Sequence, residues 1–442
     1  MPFLTHLHFT VMKHPILPCS VLFFSVLSLS IHAEDWARFR GPNGSGVADA
    51  KNLPATFDAS NTAWKADIGR GYSSPVIYKD KVFLTAEAGP GKRSVLCLNA
   101  GNGKLLWSYA VTFTEHKQNG LNSFASSTPF ADAERVYVNW TSGNAVEALA
   151  LDHSGKLLWH NTHVADYIHE HGSGASAIVA DGIMLVRAEF DTGKKGQTFA
   201  TPEQMNWKSS IVGLDIATGK QKWKLEIPNT LNPYSTPIVR DSGSKREFIL
   251  ANTTSGYMGI DALSGKINWQ HNPGYQQRSV GSFILKDDVL FSTFGQGDGG
   301  KESTLLKLGG SKPQIIGSII KNIPYVPTPL LMGDRLYLIR DGGIITCVKF
   351  PTGDEIYNER LPGTGGRGAR YFSSPVAADG KIYCASQSGD VVVIKAGDKF
   401  ETLATNKLDS PINATPAIAW NHLFIRTDKT LWCIGSKTQP VP

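Results

Sequence analysis

Ser73-Ser74-Pro75-Val76-Ile77-Tyr78-Lys79-Asp80-Lys81-Val82-Phe83-Leu84, followed after a polar link by Val95-Leu96-Cys97-Leu98-Asn99-Ala100-Gly101-Asn102-Gly103-Lys104-Leu105-Leu106-Trp107, contains one whole structural unit. Ser-Pro opens a short apolar strand, Lys79-Asp80-Lys81 turns the chain, and Val82 to Leu84 return. Val95 to Leu98 make a third strand, and a Gly-Lys turn leads to a fourth that carries Trp107. Proline at the first strand fits an inner edge, where a missing N–H does little harm.

The unit recurs. Ser/Thr-Pro before an apolar run appears at Pro75, Pro129, Pro237, Pro329, Pro375 and Pro416, and copies without proline lie near Ala177 and Ser282. The spacing averages about 49 residues, the length of a four-stranded propeller blade. In four units a Trp stands three residues after the turn lysine, at Lys104/Trp107, Lys156/Trp159, Lys220/Trp223 and Lys266/Trp269, and Tyr357 takes that slot after Asp354. These rings are predicted to wedge between blades.

The last unit has strands at Thr415 to Ala419, Leu423 to Arg426 and Leu431 to Ile434, then stops. Asn61 to Ile68, with Trp64, reads as a fourth strand with no first three. The reading is therefore an all-β, eight-bladed β-propeller of four-stranded antiparallel blades, its ring closed by the N-terminal strand. Closure removes the sheet edges that invite aggregation.

The Ser-Ser-Pro-Val anchor, the Leu-Asn-Ala-x-x-Gly-Lys-x-x-Trp ending and the closure resemble the pyrroloquinoline-quinone-like (PQQ-like) eight-bladed propeller family from about residue 59 to 435. Its members include quinoprotein dehydrogenases and the propeller lipoprotein of the outer-membrane β-barrel assembly machinery. Asp35-Trp36-Ala37-Arg38-Phe39-Arg40-Gly41-Pro42-Asn43-Gly44 further resembles the start of exported members from planctomycete-type bacteria. Sialidase Asp boxes place Gly three residues before Trp, whereas Gly155 precedes Trp159 by four.

Residues 1–33 contain one Lys, no Asp or Glu, and an apolar run from about Ile16 to Ile31 that ends in Ile31-His32-Ala33. This predicts a secretory signal peptide cleaved before Glu34, and a single propeller domain over 34–442. The alternative is a membrane anchor, but the run is short of the roughly 20 residues a span needs. The mature chain is expected in the periplasm or outside the cell, as a monomer without a membrane span. Its four cysteines, Cys97, Cys347, Cys384 and Cys433, sit in strand-like runs and read as buried free thiols. Forty-four basic against 38 acidic residues give +6, or +5 without Lys13, with no basic block, so no nucleic-acid partner is expected. With 41% apolar and 19% charged residues, long disorder is not expected either.

Three constellations carry possible chemistry. The resemblance implies for dehydrogenases adjacent cysteines over a quinone, a Trp floor, and calcium held by Glu, Asn and Asp. Here there is no Cys-Cys pair, and the one hint of an oxygen-ligand set is Glu189, Asn252 and Asp298 on successive blades. A histidine cluster, His160, His163, His169 and His171, suits zinc or copper in its ligand type but lacks a firmly spaced third ligand, and a solvated loop is its alternative. Finally, the residues before each anchor strand should ring one channel mouth: Arg70, Tyr72, Asn122, His169, His171, Tyr234, Arg278, Tyr325, Arg370, Tyr371 and Asn413. Arginine forks and tyrosine faces there would hold an anionic or sugar-like ligand or a protein partner. The competing reading is that these arginines pair with acids such as Asp67, Asp409 or Glu189 and tie blades together.

No Gly-x-Ser-x-Gly, His-Glu-x-x-His or phosphate-cradling loop supports a hydrolase. The sequence is read as an exported, non-catalytic binding or scaffolding propeller with no cofactor and no metal. The alternative is a PQQ- and calcium-dependent alcohol or sugar oxidoreductase.

Overall fold

The computed structural model describes Met1 and residues 35–437, apart from 170, 195, 196, 199, 244, 298, 311 and 364–369. The expected signal peptide, apart from Met1, and Asp298 thus lie outside the described residues. The described chain from residue 35 onward falls in one compact unit.

Eight antiparallel sheets form the blades. Blade one is Val76–Tyr78, Lys81–Glu87, Lys92–Asn99 and Leu105–Thr112. Blades two to seven repeat this order, and blade five gains a short inner segment, Arg278–Ser279. In blade eight, Ala417–Ala419, His422–Arg426 and Thr430–Gly435 are completed by Thr62–Asp67, with Trp64 opposite Cys433. The N-terminal strand therefore closes the ring, as the sequence predicts.

The Trp register also holds, and the structure shows its partner. Trp64, Trp107, Trp159 and Trp223 donate their indole N–H to Ala100 O, His153 O, Ile216 O and Ala262 O of the next blade, at 2.8 to 3.0 Å. Each ring lies on the glycine of that blade's turn. At Gly265, φ is +71° and an added Cβ would stand 2.5 Å from the Trp223 ring, so the turn needs glycine twice over. Trp269 departs from the pattern: its N–H turns back to Glu247 Oε1 of its own blade at 3.0 Å.

At the inner edge, the Ser or Thr that precedes each anchor strand, in six of the eight blades followed by proline, joins its neighbours in a closed ring. The N–H of Ser74 donates to Thr128 Oγ1, and the relay continues through Ser176, Thr236, Ser282, Thr328, Ser374 and Thr415 back to Ser74, over 2.8 to 3.4 Å. This explains the Ser/Thr-Pro signature. The hydroxyl satisfies a buried N–H of the preceding blade, and the proline that follows brings no further donor to satisfy.

Two buried arginines tie seams from equivalent positions in their second strands. Arg187 donates to Ser235 O and Oγ and to Ala251 O of blade four at 2.8 to 3.0 Å. Arg426 donates to Ser73 O and Oγ and Thr85 O of blade one at 2.7 to 3.1 Å. The four cysteines are free and buried, and burial pushes the Cys97 and Cys347 thiols up to about 12.

Residues 35–51 close the far end of the channel. Trp36 bridges Ile77 of blade one, Ala37 O accepts from Ala131 N–H of blade two at 2.8 Å, and Asn43 exchanges hydrogen bonds with Val239 of blade four. Val47 bridges Ala377 of blade seven, and Lys51 N–H reaches Asn421 Oδ1 of blade eight. Arg40 is fully buried and its donors go only to carbonyls, including Pro329 O at 2.8 Å and Pro375 O at 2.9 Å.

Candidate functional site

The inner strands start at the open mouth and run down to the plug. The chain just before each of them therefore converges at the mouth, where the sequence places its candidates. The structure separates them into three groups.

His171, Tyr234, Arg278 and Tyr325 face one cavity of about 610 Å³, together with Asn122. The Arg278 guanidinium lies 5.8 Å from the Tyr234 ring centre, within cation–π range. Its backbone pairs with Gly295, and the Tyr325 ring lies so close over Gly295 that a Cβ there would meet it at 2.7 Å. Tyr325 is held from behind by its N–H donating to Asp341 Oδ1 at 2.9 Å. Asn122 bridges to the next loop through His171 O at 3.0 Å and Ser173 O at 3.2 Å.

Below this cavity is a shaft of about 170 Å³ on the channel axis, with Tyr72 and Asn413 near its top, the eight hydroxyl residues around it, and Phe39 of the plug among its walls. Tyr234, Val280, Val326 and Phe372 line both spaces, so the shaft opens into the mouth.

The remaining candidates lie elsewhere. Tyr371 is a correction to the sequence reading. Its side chain is 1% exposed, packed in the core of blades six and seven against Gly343, and the neighbouring Phe372 faces the mouth instead. Backbone that is locally extended alternates its side chains, so a one-residue difference in register reverses inside and outside. His169 is also buried, stacked on His116 with ring centres 3.6 Å apart, and its Nε2 is 2.6 Å from Gly143 O. Burial, with the neighbouring imidazole second, pulls its pKa down to about 3. Arg370 is exposed and lines neither cavity. Arg70 is exposed as well. It pairs with Glu87 at 3.5 Å rather than with the acids suggested by sequence, and lies 6.0 Å from the Tyr72 ring.

The histidine cluster disperses. His160 Nε2 is 2.8 Å from Glu147, His163 is 3.1 Å from Asp166, His169 is stacked in the wall and His171 faces the mouth. Among the described residues, no group of three or more His, Cys, Asp or Glu is placed to hold a metal.

Glu189 and Asn252 do meet, but not as ligands awaiting calcium. Glu189 is 1% exposed, its Oε1 accepts from Asn252 Nδ2 at 2.8 Å, and its Oε2 is closely paired with Arg187 Nε. A divalent cation would have to displace a buried guanidinium that also clasps the next blade, so this donor set does not fit the quinone–calcium arrangement.

Sequence reasoning missed Phe372, Val280 and Val326, the plug, and the use of the Ser/Thr hydroxyls. Ser/Thr-Pro was visible, but which neighbour the hydroxyl meets depends on residues some fifty positions away.

Among the described residues, no helix is long and apolar enough to cross a membrane. No curated protein matches the chain. Similar solved structures include BamB from Moraxella catarrhalis, at TM-score 0.60 and 13% identity over 85% of this chain and 98% of that one. A europium-containing methanol dehydrogenase gives TM-score 0.64 and 12% identity over 90% and 91%. Quinohemoprotein alcohol dehydrogenase from Comamonas testosteroni gives 0.64 and 12% over 92% and 81%. At such identities these neighbours share the fold, on which function is not fixed. A family model described as outer membrane protein assembly factor BamB matches residues 53–298 and 321–441, starting just after the plug. With eight closed blades behind that match, the chain belongs to the PQQ-like propeller family that this model represents.

Proposed function

We propose that this chain is an exported, non-catalytic propeller that works as a binding scaffold, taking a segment of a protein partner or an anionic, sugar-like ligand into its mouth. The observation that carries this reading is the convergence of His171, Tyr234, Arg278 and Tyr325 on one cavity of about 610 Å³. That volume lies within the roughly 300–1,000 Å³ of small-molecule sites, and such sites combine apolar walls with a few placed polar groups. Val280, Val326 and Phe372 supply the walls, and the Arg278 fork and the two tyrosine faces supply planar contact with hydrogen-bond donors. The family description, an outer-membrane assembly factor, supports a protein-partner role, and the leader over 1–33 supports export.

The commitment of Glu189 to Arg187 weighs against the quinone-dependent alternative. The test uses the mature chain, starting at Glu34. Tyr325→Ala and Arg278→Gln should keep the melting profile close to the parent's while retention of acidic glycans, or of a partner captured with the parent protein, falls about tenfold or more. Dye-linked oxidation of alcohols or sugars after incubation with the quinone and Ca²⁺ would overturn the non-catalytic reading. Losses of stability matching the losses of binding would make the mouth structural.

A further inference from the structure

Two buried arginines of the plug have no counter-ion among the described residues. Arg38 is 6% and Arg40 0% exposed. Arg38 Nη2 donates to Pro237 O at 2.7 Å, and Arg40 donates to Thr328 O, Pro329 O and Pro375 O of blades six and seven and to Gly44 O and Ser45 O of the plug. Among the described residues neither reaches a carboxylate, and burial alone pulls their pKa values down to about 10 and about 9. Buried charges are ordinarily paired, because removing an ion from water is costly.

The blade carbonyls they use immediately follow, or belong to, residues of the hydroxyl ring: Pro237 follows Thr236, Pro329 follows Thr328, and Pro375 follows Ser374. The two guanidinium groups therefore sit at the base of the shaft, next to the ring. All eight ring residues line the shaft, and no Asp, Glu, Lys or Arg does. Every ring Oγ is an acceptor in its inter-blade bond, and none donates to a protein acceptor among the described residues. Each hydroxyl proton is thus available to a guest, and each hydroxyl is polarised by the N–H bond it accepts, which strengthens it as a donor.

We propose that the shaft is an oxyanion site: a tetrahedral or carboxylate anion held on the propeller axis by the Ser/Thr hydroxyl ring, with Arg38 and Arg40 beneath supplying the balancing charge. The site is distinct from the mouth cavity and does not depend on what the mouth takes. The inter-blade relay explains why the ring is built of hydroxyl residues, and the proposal accounts for what the relay leaves over: eight hydroxyl protons without a protein acceptor and two buried arginines without an acid among the described residues. The anion arrives through the mouth, because the plug closes the other end. The same chemistry admits a free inorganic anion or an acidic group carried by a larger mouth ligand.

The experiment titrates the mature full-length chain with inorganic phosphate and with sulfate at constant ionic strength, by calorimetry, and locates selenate by anomalous diffraction from a soaked crystal. Saturable binding of one anion per chain is expected, with the selenate peak inside the hydroxyl ring. Arg38→Gln keeps a donor for Pro237 O but removes the charge, and should weaken binding about tenfold, while Arg38→Lys keeps most of it. If Arg38→Gln does not fold, the position of the selenate in the parent protein decides. A peak at the protein surface, no saturable binding, or a folded Arg38→Gln protein with unchanged affinity would overturn the proposal. Tyr325→Ala separates the two readings. It should leave phosphate binding intact even where it abolishes the mouth ligand, and a glucuronate-containing oligosaccharide that displaces phosphate in the parent protein would identify the anion as part of a larger ligand.

Discussion

From blade eight round to blade four, each seam is fastened by an indole lying on the next blade's turn glycine and donating to that turn's carbonyl. At the seam between blades four and five the same residue type, at the same register, gives its N–H to its own blade. There Glu247, buried to 1% and held by Arg240 at 2.7 Å and Asn268 at 3.0 Å, offers Trp269 a charged acceptor. The receiving turn of blade five begins Leu308-Gly309-Gly310 in place of the Asn-Ala-x-x-Gly-Lys type, and a cleft of about 330 Å³ remains beside it. The difference teaches that a wedge is a property of two blades. The donor strand places the ring, but the following blade's turn decides whether it docks.

The largest expected effect tests that directly. Trp223→Ala removes a nearly buried indole and leaves a cavity in a seam, and should cost about 3–5 kcal/mol in urea unfolding. Trp64→Ala should cost the same, because Trp64 closes the ring with an equivalent bond. Trp269→Ala, at a half-buried ring beside a cleft, should cost only about 1–2 kcal/mol. Equal losses at Trp223 and Trp269 would break the comparison, and a negligible loss at Trp64 would show that the N-terminal strand does not fasten blade eight.

The glycines sharpen it from the other side. Gly265→Ala meets a backbone at φ +71° and the Trp223 ring at 2.5 Å, and should destabilise by about 2–4 kcal/mol. Gly309→Ala, at φ +92° with Asp288 Oδ2 the nearest atom at 3.1 Å, faces backbone strain without an overlying ring and should lose about 1 kcal/mol. Comparable melting temperatures for the two variants would mean that the ring yields and that the turn, not the indole, sets the seam.

What the sequence made legible follows the same division between one element and two. The blade count, the strand order and the closure by Thr62–Asp67 were readable because each is signalled within a single repeat or by a missing piece of one. From sequence Trp269 reads as a wedge because its own register is regular, and the acceptor that redirects its N–H, Glu247, lies in an earlier strand of the same blade. The mouth was half legible. Five candidates, Asn122, His171, Tyr234, Arg278 and Tyr325, meet there, but Tyr371 and Phe372 exchange places through side-chain alternation, and His169 is drawn into the wall by His116, over fifty residues earlier. Arg38 and Arg40 read in sequence only as part of a family-like opening segment. Nothing local to them announces that the chain threads back through the axis to bury both.

The wedged arc carries an acid-sensitive point at its mouth end, which offers a smaller test. His116 and His169 stack between the loops that leave blades one and two, with interplanar angle 6°, and both pKa values are lowered chiefly by burial. Arg93, bonded to Glu147 at 3.3 Å, and Glu115 are the charged neighbours of His116. A histidine whose folded pKa lies below its unfolded value of 6.5 binds fewer protons in the native state. Stability is therefore constant above about pH 6.5 and is lost as pH falls from there toward about 3. The slope should approach about 1.4 kcal/mol per pH unit for one proton, and His169→Phe should flatten it. In hydrogen exchange at pH 5, amides of residues 114–122 and 167–169 should lose protection before those of blades five and six. Uniform loss around the ring would detach this pair from the arc.

The smallest effect isolates the indole N–H itself. Trp223→Phe keeps much of the ring contact but leaves Ala262 O without its 3.0 Å donor at a buried seam, and an unsatisfied buried carbonyl costs about 1–2 kcal/mol. Trp269→Phe removes a donor from Glu247, which still holds Arg240 at 2.7 Å and Asn268 at 3.0 Å. Its carboxylate stays satisfied, so the loss should remain below about 1 kcal/mol. Thermal unfolding of the two variants side by side measures this difference. If Trp269→Phe proves the more costly, the bond to Glu247 is the stronger of the two, and the blade four–five seam has exchanged one fastening for a better one inside its own blade.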